Sequence, residues 1–327
     1  MKNNTVLVTG GSGFLGIHII AQLLELGYTV KTTLRDLSKK EQLIEALRTN
    51  GDHNLDDLSF FQADLTKDEG WDLAATDCTY VLHLASPFPM GEPEHEDELI
   101  VPAVEGTLRV LKAANRAQVK RVVITSSFAA VGYSINDEGY VFTEKDWTDD
   151  STPLPAYIKS KTVAEKAAWQ YIEEEGKGME LTVINPVGIF GPVIGGISSS
   201  SIQMAIQGII NGDIKESPNF TMGVVDVRDA ASLHISAMVE QKASGERFIA
   251  ATDGIMSFYD VAQLIRTERP KLAGNIADMK PTPAAYYKAM SNQKAKSLLG
   301  WQPRTKEEAL LSSVDSLFNP EKVKNEV

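Results

Sequence analysis

Residues 5–16 read TVLVTGGSGFLG. Thr5–Thr9 are apolar or β-branched without polar alternation, as in a strand covered on both faces. Gly10, Gly13 and Gly16 follow at three-residue spacing, and residues 14–25 carry apolar side chains at helical spacing up to Gly27. Glycine adopts positive φ and lets a ligand approach the backbone closely. The helix behind the loop offers unpaired N–H groups to a pyrophosphate, and Gly16 is expected to let that helix sit close to the sheet. A glycine loop between strand and helix is the context of a dinucleotide site rather than of a plain tight turn. Ser12, Phe14 and Leu15 fall in the loop and first helical turn and join the candidate cofactor-binding set. No Gly-Lys-Ser or Gly-Lys-Thr follows, which argues against a Walker loop.

The same alternation continues outward. YTVKTTLR, LSFFQADL, CTYVLHLAS, VKRVVITSS and MELTVINPVGIFGP read as strands, with helical patterns between most of them. This predicts an α/β fold, a Rossmann-type doubly wound parallel sheet, with a smaller C-terminal substrate-binding lobe. Residues 1–190 are assigned mainly to the nucleotide domain, with 223–253 returning to it. Residues 191–222 and 254–320 are assigned mainly to the lobe, where IQMAIQGIING reads as a short apolar helix.

The chain has 327 residues and a formal charge of −12, with no basic block. That argues against a nucleic-acid groove and against an anionic membrane surface. The start has neither a signal peptide pattern nor a membrane-length apolar run, so a cytoplasmic location is expected. The one cysteine, Cys78, borders an apolar strand and reads as a buried small residue. His83 reads as a core-edge histidine, and His95 lies in the solvated acidic stretch GEPEHEDE. No metal site is expected, since the His and Asp residues are dispersed and zinc-type cysteines are lacking.

Parallel strands bring their C-terminal ends to one edge. At the second strand end, Arg35 is in register to pair with a 2′-phosphate, with Lys40 as a second positive charge. This favours NADPH, although a register shift would place Asp36 there instead and favour NADH. Asp64 is either an acceptor for the adenine amino group, with the Leu65 backbone beside the ring, or a cap. Ala85, Ser86 and Pro87 are small enough for a cofactor to cross the sheet edge. Thr125, which ends the fifth strand beside Ser126 and Ser127, joins the candidate cofactor-binding residues. Ser127 is the better candidate to bind a carbonyl oxygen, with Ser126 supporting the loop, though adjacent hydroxyls can exchange roles. Tyr157 and Lys161 share one helix face. An ammonium beside the phenol is expected to lower its pKa from about 10, which suits proton exchange with an alkoxide.

Together, TGGSGFLG, HLAS, TSSFAAV, YIKSK and NPVGIFGP resemble the extended short-chain dehydrogenase/reductase family. GYTVKTTLRD and YIKSKTVAEKAAW are similar to its dihydroflavonol-reductase-like branch of aldehyde, ketone and cinnamoyl-CoA reductases, across residues 1–310. The resemblance implies a catalytic set of Ser127, Tyr157 and Lys161, with NADPH/NADP+ as cofactor and transfer of the pro-S hydride. Lys161 would also bind the nicotinamide ribose, and Pro186 and Ile189 would line the carboxamide side. Asp229 is expected as a cap or ion-pair partner. GPVIGGISSSS departs from the plant flavonoid reductases and argues for an altered substrate wall. A small pocket lined by Phe88, Val131 and Met222 would suit a short aldehyde, ketone or β-keto ester. The alternatives are an NAD-dependent nucleotide-sugar epimerase or dehydratase and a non-enzymatic NADPH-binding redox sensor. A small carbonyl or alcohol is the expected partner, and helices 99–117 and 157–175 are candidates to pair across a homodimer.

Overall fold

The computed structural model describes residues 4–87, 93–135 and 137–318. β1 (Thr5–Thr9) leads through the glycine loop to α1 (Phe14–Glu25). Then come β2 (Thr29–Leu34), α2 (Lys40–Asn50), β3 (Leu58–Gln62), α3 (Trp71–Ala75), β4 (Tyr80–His83), α4 (Asp97–Arg116) and β5 (Arg121–Thr125). A two-residue β6 (Val141–Phe142) precedes α5 (Ala156–Glu175), β7 (Glu180–Pro186) and β8 (Gly188–Phe190). The expected short apolar helix is divided into α6 (Ser200–Ile202), a π-helical stretch (Gln203–Gln207) and α7 (Gly208–Ile210). The chain continues through β9 (Met222–Asp226), α8 (Val227–Val239), β10 (Arg247–Ala250), β11 (Ile255–Met256) and α9 (Phe258–Glu268). It ends with β12 (Ala289–Met290), α10 (Gln293–Leu299) and α11 (Lys306–Phe318).

Among the described residues, seven parallel strands form the main sheet in the order β10-β7-β5-β4-β1-β2-β3. The order reverses direction between β1 and β4, which opens a crevice at the C-terminal strand ends. Apolar strands fit this arrangement because helices cover both faces. Ile17, Ile20 and Leu24 of α1 and Leu233 of α8 pack on one face. Val110 and Leu111 of α4 and Ala168 and Tyr171 of α5 pack on the other. Register places Thr9 beside His83, and His83 beside Ile124, at the crevice floor.

A second sheet pairs β8 with β9 in parallel and β9 with β11 in antiparallel orientation. Within residues 223–253, α8 and β10 join the main sheet, whereas β9 belongs to this smaller one. Late residues are tied back to α8. Asp229 accepts from the Arg304 backbone N–H at 2.7 Å and pairs with the Arg304 guanidinium, while its carbonyl accepts from Trp301 Nε1 at 2.9 Å. No helix among the described residues is long and apolar enough to cross a membrane.

Candidate active site

The glycine loop is shaped by contacts that exclude a Cβ. Gly10 has a φ of +70°, and a Cβ there would lie 3.1 Å from the Ala85 backbone. Gly13 caps α1, its N–H donating to the Gly10 carbonyl at 3.0 Å. Gly16 has a different role from the one expected: a Cβ there would stand 2.5 Å from the Gly10 carbonyl oxygen, so it closes α1 onto the loop rather than onto the sheet. Gly11 has no role in the motif reading, yet its Cβ would fall 2.0 Å from Thr32 Oγ1 and 2.7 Å from Ile20 Cδ1. The only sequence signal for it is its position beside Gly10. No side chain caps α1 and its first turn has no acidic residue. Phe14 and Leu15 are buried, so they offer main-chain N–H groups, and Ser12 is half-buried in the loop. A Cβ-free cradle against an uncapped helix start fits a pyrophosphate.

At the end of β2, Arg35 is exposed. The Asp36 carboxylate accepts from the Ser38 backbone N–H at 2.9 Å, which occupies it in a local turn. Lys40 Nζ lies 5.4 Å from the centre of the Phe60 ring. Asp64 Oδ1 accepts from Thr66 N–H at 2.9 Å and from Thr66 Oγ1 at 2.8 Å. These bonds, with Arg35 nearby, hold its carboxyl below the usual range. Asp64 thus caps a turn, and α3 begins only at Trp71. Leu65 is buried against Gly106 of α4.

At the end of β4, Thr9 Oγ1 accepts from the N–H groups of Leu84 and Ala85, each at 3.1 Å. Its own proton therefore goes to His83 Nδ1 at 2.8 Å, which assigns the His83 proton to Nε2. Burial lowers the His83 pKa to about 3, so this histidine is neutral and structural. Ser86 Oγ accepts from Lys161 Nζ at 2.6 Å. Pro87 follows it, half-buried, while Phe88 lies outside the described residues.

The end of β5 sorts three adjacent hydroxyls. His234 Nδ1 donates to the Ala230 carbonyl, so Thr125 Oγ1 donates to His234 Nε2 at 2.8 Å, toward α8. Ser126 Oγ donates to Glu165 Oε2 at 2.5 Å. Ser127 Oγ accepts from Ala129 N–H at 3.1 Å, and its side chain lies beside the Tyr157 phenol. Lys161 Nζ stands 5.6 Å from the centre of the Tyr157 ring. The expected lowering of the Tyr157 pKa is not found. Burial pushes the phenol up, Ser127 opposes this, and neighbouring Tyr133 raises it further. Loss of hydration lowers Lys161 itself to about 8. Tyr157 is thus a neutral phenol with a proton to give. Tyr133 escaped the sequence reading because an aromatic six residues after Ser127 has no motif. Beneath these groups a cavity of about 20 Å³, enough for one water, is lined by His83, Ser86, Ser126, Lys161 and Glu165.

Val131 does not line a pocket, contrary to expectation. It is 1% exposed and packs with Phe142, Ile249 and Ala251 in a small core of its own. Met222 is half-buried at the start of β9, where it pairs with Met256. Pro186 is buried at the end of β7, and Ile189 is half-buried on β8. Cys78 is buried, which raises its thiol to about 11. Among the described residues no group of His, Cys, Asp or Glu could hold a metal ion.

The model of the 3-beta hydroxysteroid dehydrogenase/isomerase family matches residues 7–253. The chain belongs to this family of extended short-chain dehydrogenases/reductases. Among its members, the cinnamoyl-CoA reductase of Medicago truncatula is 34% identical over 96% of this chain and 95% of its own. The NADPH-dependent methylglyoxal reductase of Saccharomyces cerevisiae is 32% identical over 94% of this chain and 96% of its own. The crystal structure of yeast methylglyoxal/isovaleraldehyde reductase complexed with NADPH superposes with a TM-score of 0.84 at 31% identity. It covers 97% of this chain and 99% of that one.

Proposed function

We propose that this chain is an NADPH-dependent reductase of small aldehydes, ketones or β-keto esters, with Tyr157 as general acid. The observation that carries the reading is the placement of the Ser127 side chain beside Tyr157, with Lys161 one helical turn on, next to the strand ends that border the glycine loop. Relatives named as methylglyoxal and isovaleraldehyde reductases support a short carbonyl substrate.

Gly10, Gly11 and Gly16 shape the pyrophosphate cradle, and the α1 N–H groups point their dipoles at it. Arg35 and Lys40 supply positive charge for the 2′-phosphate, and Asp36 does not compete because Ser38 engages its carboxylate. Bound nicotinamide supplies the hydride. Ser127 orients the carbonyl oxygen by a hydrogen bond, and Tyr157 gives its phenolic proton to that oxygen as negative charge develops. The Lys161 ammonium favours the phenolate left behind, and Ser86 holds that ammonium in place. Residues 191–222 and 254–318, with Met222 at the edge, are read as the wall that selects the substrate.

The test is NADPH oxidation by purified protein with short aldehydes, α-diketones and β-keto esters, with NADH and Tyr157→Phe as controls. We expect turnover with NADPH and a loss of about 10²-fold or more in the variant, the range of general acid catalysis. Tightly retained NAD with no net oxidation, or full activity in Tyr157→Phe, would overturn the reading.

A further inference from the structure

Glu165 lies on the same face of α5 as Tyr157 and Lys161, at i, i+4 and i+8. Its side chain is fully buried, and both of its oxygens are engaged. Oε2 accepts from Ser126 Oγ at 2.5 Å and from Asn185 Nδ2 at 2.7 Å. Oε1 accepts from Arg247 Nε at 2.6 Å and from Trp169 Nε1 at 3.4 Å.

Ser126, Asn185 and Arg247 all lead back to one short segment. Asn185 Nδ2 also donates to the Ser127 carbonyl at 3.2 Å. Arg247 Nη2 reaches the Ala130 carbonyl at 3.5 Å, and Nη1 donates to the carbonyls of Glu144 and Asp146 at 2.9 and 2.8 Å. The Arg247 guanidinium also lies 3.7 Å from the centre of the Trp147 ring. The turn from Ser126 to Ala130 is thus gripped by a carboxylate on the helix that bears Tyr157 and by an arginine on the outermost strand. A buried ion pair is weak evidence of stabilisation, because desolvation offsets much of the attraction. Its fixed geometry is what it contributes here.

We propose that Glu165, paired with Arg247, is a positioning residue that sets the Ser127 hydroxyl against Tyr157. The proposal rests on the catalytic reading of Ser127 given above. Because Glu165 and Tyr157 share one rigid helix, the carboxylate ties the serine turn to the tyrosine's own element. A substrate carbonyl then meets two hydroxyls at a fixed separation.

The test is a double-mutant cycle in the full-length enzyme, with kcat, carbonyl KM and NADPH Kd measured for each variant. In Glu165→Gln an NH₂ replaces one oxygen and faces donors it cannot accept from. A misplacement near 1 Å costs up to about 10²-fold in rate. We therefore expect kcat to fall about tenfold to a hundredfold, with NADPH Kd little changed. In the Ser127→Ala background the same substitution should cost less than about twofold, because no hydroxyl remains to be misplaced. Equal losses in both backgrounds would show that Glu165 acts only through general stability, and would overturn the proposal. A Ser127→Ala enzyme with unimpaired kcat would instead overturn the role given to Ser127. Should Glu165→Gln not fold, Ser126→Ala removes one arm of the network without creating a buried mismatch. A smaller kcat loss that vanishes in Ser126→Ala/Ser127→Ala supports the proposal, and wild-type kcat in Ser126→Ala overturns it.

Discussion

Replacing Gly16 with alanine tests the cradle directly. The new Cβ would stand 2.5 Å from the Gly10 carbonyl oxygen and 2.9 Å from Gly11 Cα. Both are backbone atoms, so no rotamer change relieves the contact. Restoring an ordinary separation near 3.4 Å moves the start of α1 away from the loop by about 0.9 Å. Overpacking of this kind costs about 1–3 kcal/mol, offset by about 1 kcal/mol from the better helix propensity of alanine. The net effect on folding is therefore small. The effect on ligand binding is larger, because a helix start is worth up to about 2 kcal/mol to an anion in a partly buried site and acts only at short range. We expect NADPH Kd, measured by titration of cofactor fluorescence, to rise about tenfold to thirtyfold, while kcat at saturating NADPH stays near wild type. Gly27→Ala is the control. Gly27 has a φ of +76° at the far end of α1 with nothing near its absent Cβ. That variant should lose about 1–2 kcal/mol of stability and keep its NADPH Kd. The reasoning fails if Gly16→Ala binds NADPH like wild type, or if Gly27→Ala weakens binding as much.

Arg35→Ala should weaken NADPH about tenfold to a hundredfold, the worth of a charge-assisted hydrogen bond, and NADH far less. Equal losses in titrations with both cofactors would remove Arg35 from the 2′-phosphate site. Ser127→Ala should lower kcat more than Ser126→Ala, and the reverse ranking in purified variants would exchange their roles. The pH dependence centres on Lys161, whose pKa is lowered to about 8 in the free enzyme. Its ammonium is present below that pH and lost above it, so NADPH Kd should rise as pH passes about 8. An anionic ligand restores the proton, so calorimetry near pH 8.5 should record proton uptake on binding, abolished in Lys161→Met. The sign for folding is the opposite. Between about 8 and the ordinary lysine value the unfolded chain holds more protons than the folded one, so this group favours folding increasingly as pH rises.

The sheet was legible because strands covered on both faces leave unbroken apolar runs, and the β1 loop because its glycines sit between strand and helix. Tyr157 and Lys161 were legible because helical periodicity puts i and i+4 on one face and because the glycine loop and the serine strand end precede them in order along the chain. Other features depend on approaches across long stretches of chain. Gly11 is explained by Thr32, on the neighbouring strand, and Glu165 by Arg247, 82 residues away. Neither pairing leaves a local mark. Val131 shows a related difficulty: an apolar residue near reacting groups reads as a pocket wall until Phe142 and Ile249 are seen to cover it. The Tyr157 pKa turned on burial, which spacing does not reveal, and burial outweighed the opposing effect of Ser127.

The ties from Arg304 and Trp301 to Asp229 bear on how this chain can be cut. The family match ends at residue 253, which invites excision of the cofactor half as a portable module. Yet α11 contributes Ala309, Leu310 and Val314 to the same apolar cluster as α1 and α8, and Ser313 Oγ, which donates to the Ala309 carbonyl of its own helix at 3.1 Å, accepts from the Gly191 N–H at 2.7 Å. Truncation there would strip the Asp229 carboxylate of its partners and bare a face that α8 and β9 need covered. Swapping substrate preferences between relatives therefore calls for exchanging loops within an intact chain, not for joining halves.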